Sequence, residues 1–322
     1  MRALYLDKTL TLREDYPVPT PPPGEALVRI RLAGVCNTDL ELVRGYLAFR
    51  GVPGHEFVGI VERADSAPEW VGQRVVGEIN AACGECETCR ANRPTHCPNR
   101  TTLGIAGRDG ALAEFLCLPV VNLHRVPDSV PDEAAVFTEP LAAACEITEA
   151  VHIHPTDRVA VLGDGKLGLL CAQVLQLAGC ELLVIGHHEE SLGILARRGV
   201  RVAVDLAKVL GPLQGSVFDV VVEATGTPEG FATARQLVRP RGAIVLKSTY
   251  HGAVEANLTM VVVDEVTLAG SRCGPFEPAL RLLERELVQV TPLVQARYPL
   301  ADGLAAFEGA GRRGTLKVLI EP

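Results

Sequence analysis

The spacing of hydrophobic positions along this chain changes character near residue 155. Before that point, apolar residues come in short stretches punctuated by Gly and Pro. "ALVRIRLAGV" (26–35) alternates with period two, and "EFVGIVERA" (56–64) and "QRVVGEI" (73–79) follow between turn signals. Period-two alternation puts successive side chains on opposite faces of a pleated strand, so this region is predicted to be β-rich. Beyond it, compact apolar runs alternate with helical stretches: "RVAVLG", "LGLLCAQVLQLAG", "ELLVIG", "EESLGILARRG", and later "FDVVVEATG" and "GAIVLKS". That alternation predicts a doubly wound parallel sheet and an α/β class overall. After about 285 the tail returns to mixed strand and helix and is expected to rejoin the first region. The expected domains are therefore 1–140 with 285–322, and 141–284.

Composition narrows the function. With 322 residues, 48% hydrophobic and 22% charged, the chain is long enough for two globular cores. A net charge of −8 with no basic stripe argues against nucleic acid as a partner, because phosphate neutralisation needs clustered Lys and Arg. The N-terminus "MRALYLDKTLTL" lacks a signal-peptide core, and no apolar run has the length of a membrane span. The expectation is a cytoplasmic protein with no membrane association. The Pro-rich "PVPTPPPGE" (17–25) is read as a rigid connector before a strand.

Four of the ten cysteines fall within fifteen residues, Cys83, Cys86, Cys89 and Cys97, spaced C-x2-C-x2-C-x7-C. In a reducing compartment such a cluster binds metal more readily than it forms disulfides. Its opening resembles a bacterial ferredoxin run, but that run closes with three intervening residues and not seven. Four thiolates on a lobe at about 80–100 can close a tetrahedral zinc site with no vacant position, which is a structural arrangement. A scattered second set is Cys36 in "GVCNTDLE", His55 and Glu56 in "PGHEFVG", and Glu139 in "FTEPLAAACE". Taken singly, each also reads as an ordinary core or helix-start residue.

Gly163, Gly165 and Gly168, with Lys166 and Leu167 inside the motif, form G-D-G-K-L-G between a strand and an apolar helix. The first glycine allows the tight turn, the second lets backbone approach a pyrophosphate, and the third allows close helix–strand packing, with phosphate at the helix N-terminus. This is a Rossmann dinucleotide fingerprint and implies NAD(P). NAD enzymes usually carry an acid at the end of the second strand, where "LLVIGHHEE" places His187 followed by His188. Without a carboxylate to repel a 2′-phosphate, and with imidazoles to donate to it, the reading leans to NADP. The alternative is that both histidines are solvated and NAD binds through Glu189 or Glu190.

In this order "GVCNTDL", "GHEFVG", the four-cysteine lobe, "TEPLA", "VLGDGKLG" and "VVEATGT" resemble the zinc-dependent medium-chain dehydrogenase/reductase superfamily of alcohol, polyol, sugar and threonine dehydrogenases. The resemblance covers nearly the whole chain. It implies a GroES-like catalytic domain, a Rossmann domain inserted before the tail, an active site in the cleft between them, and a homodimer or homotetramer. It implies both a catalytic and a structural zinc, and a small-molecule alcohol or carbonyl substrate. It makes Cys36 and His55 catalytic-zinc ligands and Glu56 and Glu139 carboxylates that ligate or exchange with water, Glu139 preferred and Cys145 an outside candidate.

The resemblance further implies that Thr38 starts a proton relay and that Asp39 orients a zinc-binding histidine. Glu41 stands where many relatives carry a relay histidine, and reads equally as a solvated helix charge. Matching by position assigns Thr225, Gly226, Ser248, Thr249, Ser271, Arg272 and Cys273 to the cofactor, with Lys317 reaching the pyrophosphate and Lys166 touching a phosphate. The segment 41–53, with Arg44, Tyr46 and Phe49, should line the substrate pocket. Two rivals remain at this point: a zinc-independent enone or quinone reductase of the same fold, and a non-catalytic, zinc-stapled dinucleotide-binding protein.

Overall fold

The alternating stretch at 25–34 folds as the strand Glu25–Gly34, with Ala26, Val28, Ile30 and Leu32 buried and their neighbours more open. At its end the alternation stops, and Ala33 and Gly34 are both buried. The strand is thus covered on both faces where it delivers the chain to Cys36. The computed structural model describes residues 1–204, 217–249 and 253–322. They divide into two units, Met1–Glu139 with Phe276–Pro322, and Pro140–Pro275.

The first unit is built on a seven-stranded sheet in the order Leu123–Arg125, Arg74–Gly77, Glu56–Arg63, Glu25–Gly34, Lys317–Glu321, Val294–Pro299, with Phe115–Pro119 also pairing Glu25–Gly34. Two of its strands come from the C-terminal tail, and Leu319 pairs Gly34 in antiparallel register. Gly34 also pairs Glu56 on its other side, so three distant segments meet at one point of the sheet. A separate three-stranded sheet of Asn80–Ala81, Thr101–Leu103 and Gly107–Arg108 flanks the cysteine lobe.

The second unit holds six strands in the order Arg201–Ala203, Glu181–Ile185, Arg158–Leu162, Phe218–Glu223, Val238–Leu246, Thr267–Gly270, all parallel. This is the doubly wound arrangement, whose ligands lie beyond the carboxyl ends of the strands where the order reverses. Strands covered on both faces read as continuous apolar runs, and Val159, Ala160, Val161 and Leu162 are all buried. One side of the core gathers Ala160, Leu183, Val221, Phe231 and Ile244. No helix among the described residues is long and apolar enough to cross a membrane.

Candidate functional site

Cys36 caps the N-terminus of the helix Asn37–Val43 in extended conformation, and its N–H donates to Asp39 Oδ2 at 2.8 Å. The other oxygen, Oδ1, accepts from Gly54 N–H at 3.1 Å and lies 3.3 Å from His55 Nδ1. Asp39 is fully buried, so one carboxylate ties the Cys36 turn to the Gly54–His55 turn across fifteen residues of sequence. Gly54 has φ +98°, and a Cβ there would lie 2.6 Å from Leu112 Cγ, so only glycine serves.

His55 is 3% exposed, and its Nδ1 lies 3.3 Å from Asp39 Oδ1 without the geometry of a hydrogen bond. Burial opposes a charge on this imidazole, but the Asp39 carboxylate and the Cys36 sulfur outweigh it and hold its pKa well above the usual histidine value. With Nδ1 turned to Asp39, Nε2 is the nitrogen left for a cation, the usual arrangement for a metal-binding histidine backed by a carboxylate. Potential ligand atoms of Cys36, His55 and Glu56 lie within 4.8 Å of one another. A soft sulfur, an imidazole and a carboxylate form a donor set suited to zinc. Thr38 Oγ1 is 3.8 Å from Cys36 Sγ.

Glu56 is 1% exposed and pairs with Lys317, whose ammonium is fully buried and also lies 5.4 Å from the centre of the Phe137 ring. Gly34 makes this pair possible, because a Cβ there would collide with Glu56 Oε2 and touch Lys317 Cδ at 3.4 Å. The ammonium that sequence matching sends to a pyrophosphate is thus held by a carboxylate beside the Cys36 cluster.

Glu139 lies in the first turn of the helix Thr138–Ala150, outside the three-residue cluster, and Cys145 is buried further along the same helix. Glu41 turns to Arg44 at 2.6 Å as an exposed pair, not to Thr38. Phe49 is buried with Leu6 and Leu42, and Tyr46 packs against them, while Leu6, Leu42 and Phe49 also line, with Asp7, Lys8 and Arg50, a cavity of about 260 Å³.

The four cysteines of the lobe come together as well. Sulfur separations are 3.4 Å for Cys86–Cys89, 3.5 Å for Cys83–Cys97, 3.8 Å for Cys86–Cys97 and 4.0 Å for Cys83–Cys89. A tetrahedron with zinc–sulfur bonds of about 2.3 Å has edges of about 3.8 Å, whereas a disulfide would need about 2.05 Å. The residues fit a closed zinc site. Backbone amides of Glu85 and Cys86 draw the Cys83 thiol down to about 6, while partial burial and the neighbouring thiols push Cys89 up to about 12.

In the second unit, Gly163 has φ +112°, and a Cβ on it would strike the Ala224 carbonyl, while one on Gly168 would strike the Gly163 carbonyl. A Cβ on Gly165, the N-cap of Lys166–Gln176, would meet nothing within 4 Å, and that open face is where a ligand's phosphates can approach. Lys166 and Leu167 start this helix, with Lys166 9% exposed. His187 is exposed and His188 half-buried, just past the strand Glu181–Ile185.

The expectation that no carboxylate stands at this strand end needs correcting. Asp164, inside the glycine loop, accepts from the His187 and His188 amides at 2.7 and 2.5 Å.

The sequence reading also passed over Glu223 and Lys247. Buried Glu223 accepts from Thr225 N–H at 2.8 Å, Thr225 Oγ1 at 2.5 Å and Ser248 Oγ at 3.0 Å, and Ser248 Oγ in turn accepts from Gly226 N–H at 2.8 Å. Lys247 donates to the Ala143 carbonyl at 2.6 Å, Ser271 Oγ at 3.0 Å and the Arg272 carbonyl at 3.2 Å, which fixes the segment leading to Cys273. Thr249 is exposed beyond them. The only signal for these groups was a charged residue at the end of an apolar strand, in "VVEATGT" and "GAIVLKS".

Comparison with known proteins matches residues 22–128 to the family described as alcohol dehydrogenase GroES-like domain and residues 167–285 to that described as zinc-binding dehydrogenase. The chain is 28% identical to a sorbitol dehydrogenase of Halalkalibacterium halodurans over 96% of this chain and 95% of the relative. It is 31% identical to an L-threonine 3-dehydrogenase of Deinococcus deserti over 80% of this chain and 78% of the relative. Among solved structures, a zinc-binding dehydrogenase from Sinorhizobium meliloti 1021 bound to NADP superposes with a TM-score of 0.90 at 27% identity, covering 100% of this chain and 99% of that one.

Proposed function

The chain belongs to the zinc-dependent medium-chain dehydrogenase family and is an NAD(P)-linked oxidoreductase of alcohol or polyol type, and from that premise we propose how its own residues divide the work. Cys36 and His55 hold the catalytic zinc. Glu139 supplies the third donor when the ion is bound. Glu56, with its charge already shared with Lys317, is the carboxylate that exchanges with Glu139. Cys83, Cys86, Cys89 and Cys97 hold a second zinc that staples their lobe and takes no part in chemistry. The observation that carries this reading is the Cys36–His55–Glu56 cluster with Asp39 behind the imidazole. A zinc-independent reductase has no use for that donor set.

Zinc and NAD(P), when bound, supply Lewis acidity towards an alcohol oxygen and acceptance of a hydride. The chain supplies the remaining functions. Asp39 faces His55 Nδ1 at 3.3 Å, so Nε2 is the nitrogen left to face the metal. Thr38 Oγ1, beside Cys36 Sγ, relays the proton that the substrate hydroxyl gives up on oxidation, releasing its own hydroxyl proton to water as it accepts, and runs the same relay in reverse on reduction. Glu223 and Lys247 hold the Thr225–Gly226, Ser248 and Ser271–Cys273 segments, which would bind the nicotinamide half of the cofactor. His187 and His188 are the donors available to a 2′-phosphate, set against the Asp164 carboxylate beside them.

The substrate is a secondary alcohol, polyol or hydroxy amino acid, the classes named for the sorbitol and threonine relatives. Four unbridged thiols in one lobe suit a reducing compartment, and we place the protein in the cytoplasm as a homodimer or homotetramer. The test is a panel of sorbitol, threonine, butanediols and simple secondary alcohols with NAD and NADP, followed at the nicotinamide absorbance. Turnover that disappears in Cys36→Ser supports the reading. Equal turnover in that variant would remove Cys36 from the site.

A further inference from the structure

The glycine loop carries an acid, Asp164, between Gly163 and Gly165. Its side chain does not face solvent: the residue is 6% exposed and reaches across to the end of the neighbouring strand, Glu181–Ile185. Oδ2 accepts from the His187 and His188 amides at 2.7 and 2.5 Å, and Oδ1 lies 3.1 Å from His188 Nδ1. Between them stands Gly186, where a Cβ would come within 2.5 Å of the Asp164 Cβ, Cγ and Oδ2. The strand end bears no side chain because the Asp164 carboxylate fills its place.

That place has a chemical meaning in a doubly wound dinucleotide fold. An acid at the end of the second strand hydrogen-bonds the adenosine ribose hydroxyls of NAD and repels the 2′-phosphate of NADP. We propose that Asp164 is the residue by which this chain discriminates between NAD and NADP, a carboxylate delivered from the glycine loop in place of one on the strand. This rests on the reading that the loop binds the dinucleotide.

The two histidine amides and one imidazole nitrogen use three of the roughly four lone-pair sites of the carboxylate, leaving about one for a ribose hydroxyl. Burial works against its charge, but the donors of His188 and His187 outweigh that and hold the carboxyl below the usual range. The group therefore stays ionised beside His187 and His188, and its charge opposes their pull on a phosphate. Asp164 also positions His188, whose Nδ1 it holds.

The experiment compares dissociation constants of NADH and NADPH for the zinc-loaded protein, by nicotinamide fluorescence, in the unsubstituted chain, Asp164→Asn and Asp164→Ser. Asparagine keeps an oxygen for the two amides and removes the charge. The expected result is that the NADPH-to-NADH ratio of dissociation constants falls by about tenfold or more in Asp164→Asn, since a nearby unit charge acts on the phosphate alone. Asp164→Ser should move it in the same direction. A ratio that stays fixed, with both constants unchanged or shifted by one common factor, makes Asp164 a mere cap of the strand end and overturns the proposal. If neither dinucleotide binds the unsubstituted protein, both the loop reading and this one fall, whereas binding with an unmoved ratio removes only Asp164.

Discussion

Two clusters of potential metal-ligand side chains lie in the same unit, and they are built in opposite ways. The four-cysteine lobe comes from one stretch of fifteen residues, 83–97, is largely open to solvent, and offers four like donors at nearly tetrahedral spacing. The Cys36 cluster is gathered from sequence positions 36, 55 and 56, is buried at His55 and Glu56 and half-buried at Cys36, and mixes sulfur, nitrogen and oxygen. In the first, an ion would satisfy every donor and leave nothing for a substrate, so its free energy goes into holding the lobe. In the second, the supporting groups (Asp39, Gly54, Lys317 and Gly34) are as closely fitted as the ligands. A site that must leave a position open needs its donors fixed from behind.

This contrast predicts which changes strike activity and which strike stability. The largest effect belongs to Cys36→Ser: turnover should fall on the order of a thousandfold or more while the melting temperature barely moves, and elemental analysis should show one zinc lost. Next is Cys86→Ser, which should lower the melting temperature by about 10 °C, the scale of roughly 4 kcal/mol in a chain of this size, with turnover at low temperature largely kept. If Cys86→Ser proves as dead as Cys36→Ser in a folded protein, the division of labour is wrong.

Lys317→Met is intermediate. It strands Glu56 in a buried site, and an unpaired buried carboxylate costs about 3–5 kcal/mol, so both stability and zinc retention should suffer in calorimetry and metal analysis. A paired change, Lys317→Met with Glu56→Gln, should recover much of the stability. The smallest effect is expected for Glu41→Gln. Its carboxylate is committed to an exposed pair with Arg44, so the pH–rate profile should keep its shape. A displaced profile would restore Glu41 to the proton path.

Legibility followed the same divide. The lobe could be read from spacing alone, because its donors are neighbours in sequence. The parallel sheet could be read from apolar runs such as "RVAVL" and "ELLVI", since strands buried on both faces leave no room for polar positions. The Cys36 cluster needed the resemblance of whole motifs, for no local pattern says that residue 36 meets residue 55. Lys317 was the sharpest miss in placement: a lone lysine in the tail gives no hint that its strand pairs with Glu25–Gly34 and brings its ammonium to Glu56.

Asp164 shows the limit most plainly. Sequence position put His187 at the strand end and found no acid there, which is correct along the chain and incomplete in space. By itself the sequence determined the elements, the glycine turn, the cysteine cluster and the family, because each is encoded by local spacing or by ordered motifs. Only the tertiary structure decided which carboxylate faces which cation and which acid stands at the end of the strand Glu181–Ile185. Those pairings are made by side chains crossing between strands and loops, and the distance between such partners along the chain carries no information about their distance in the fold.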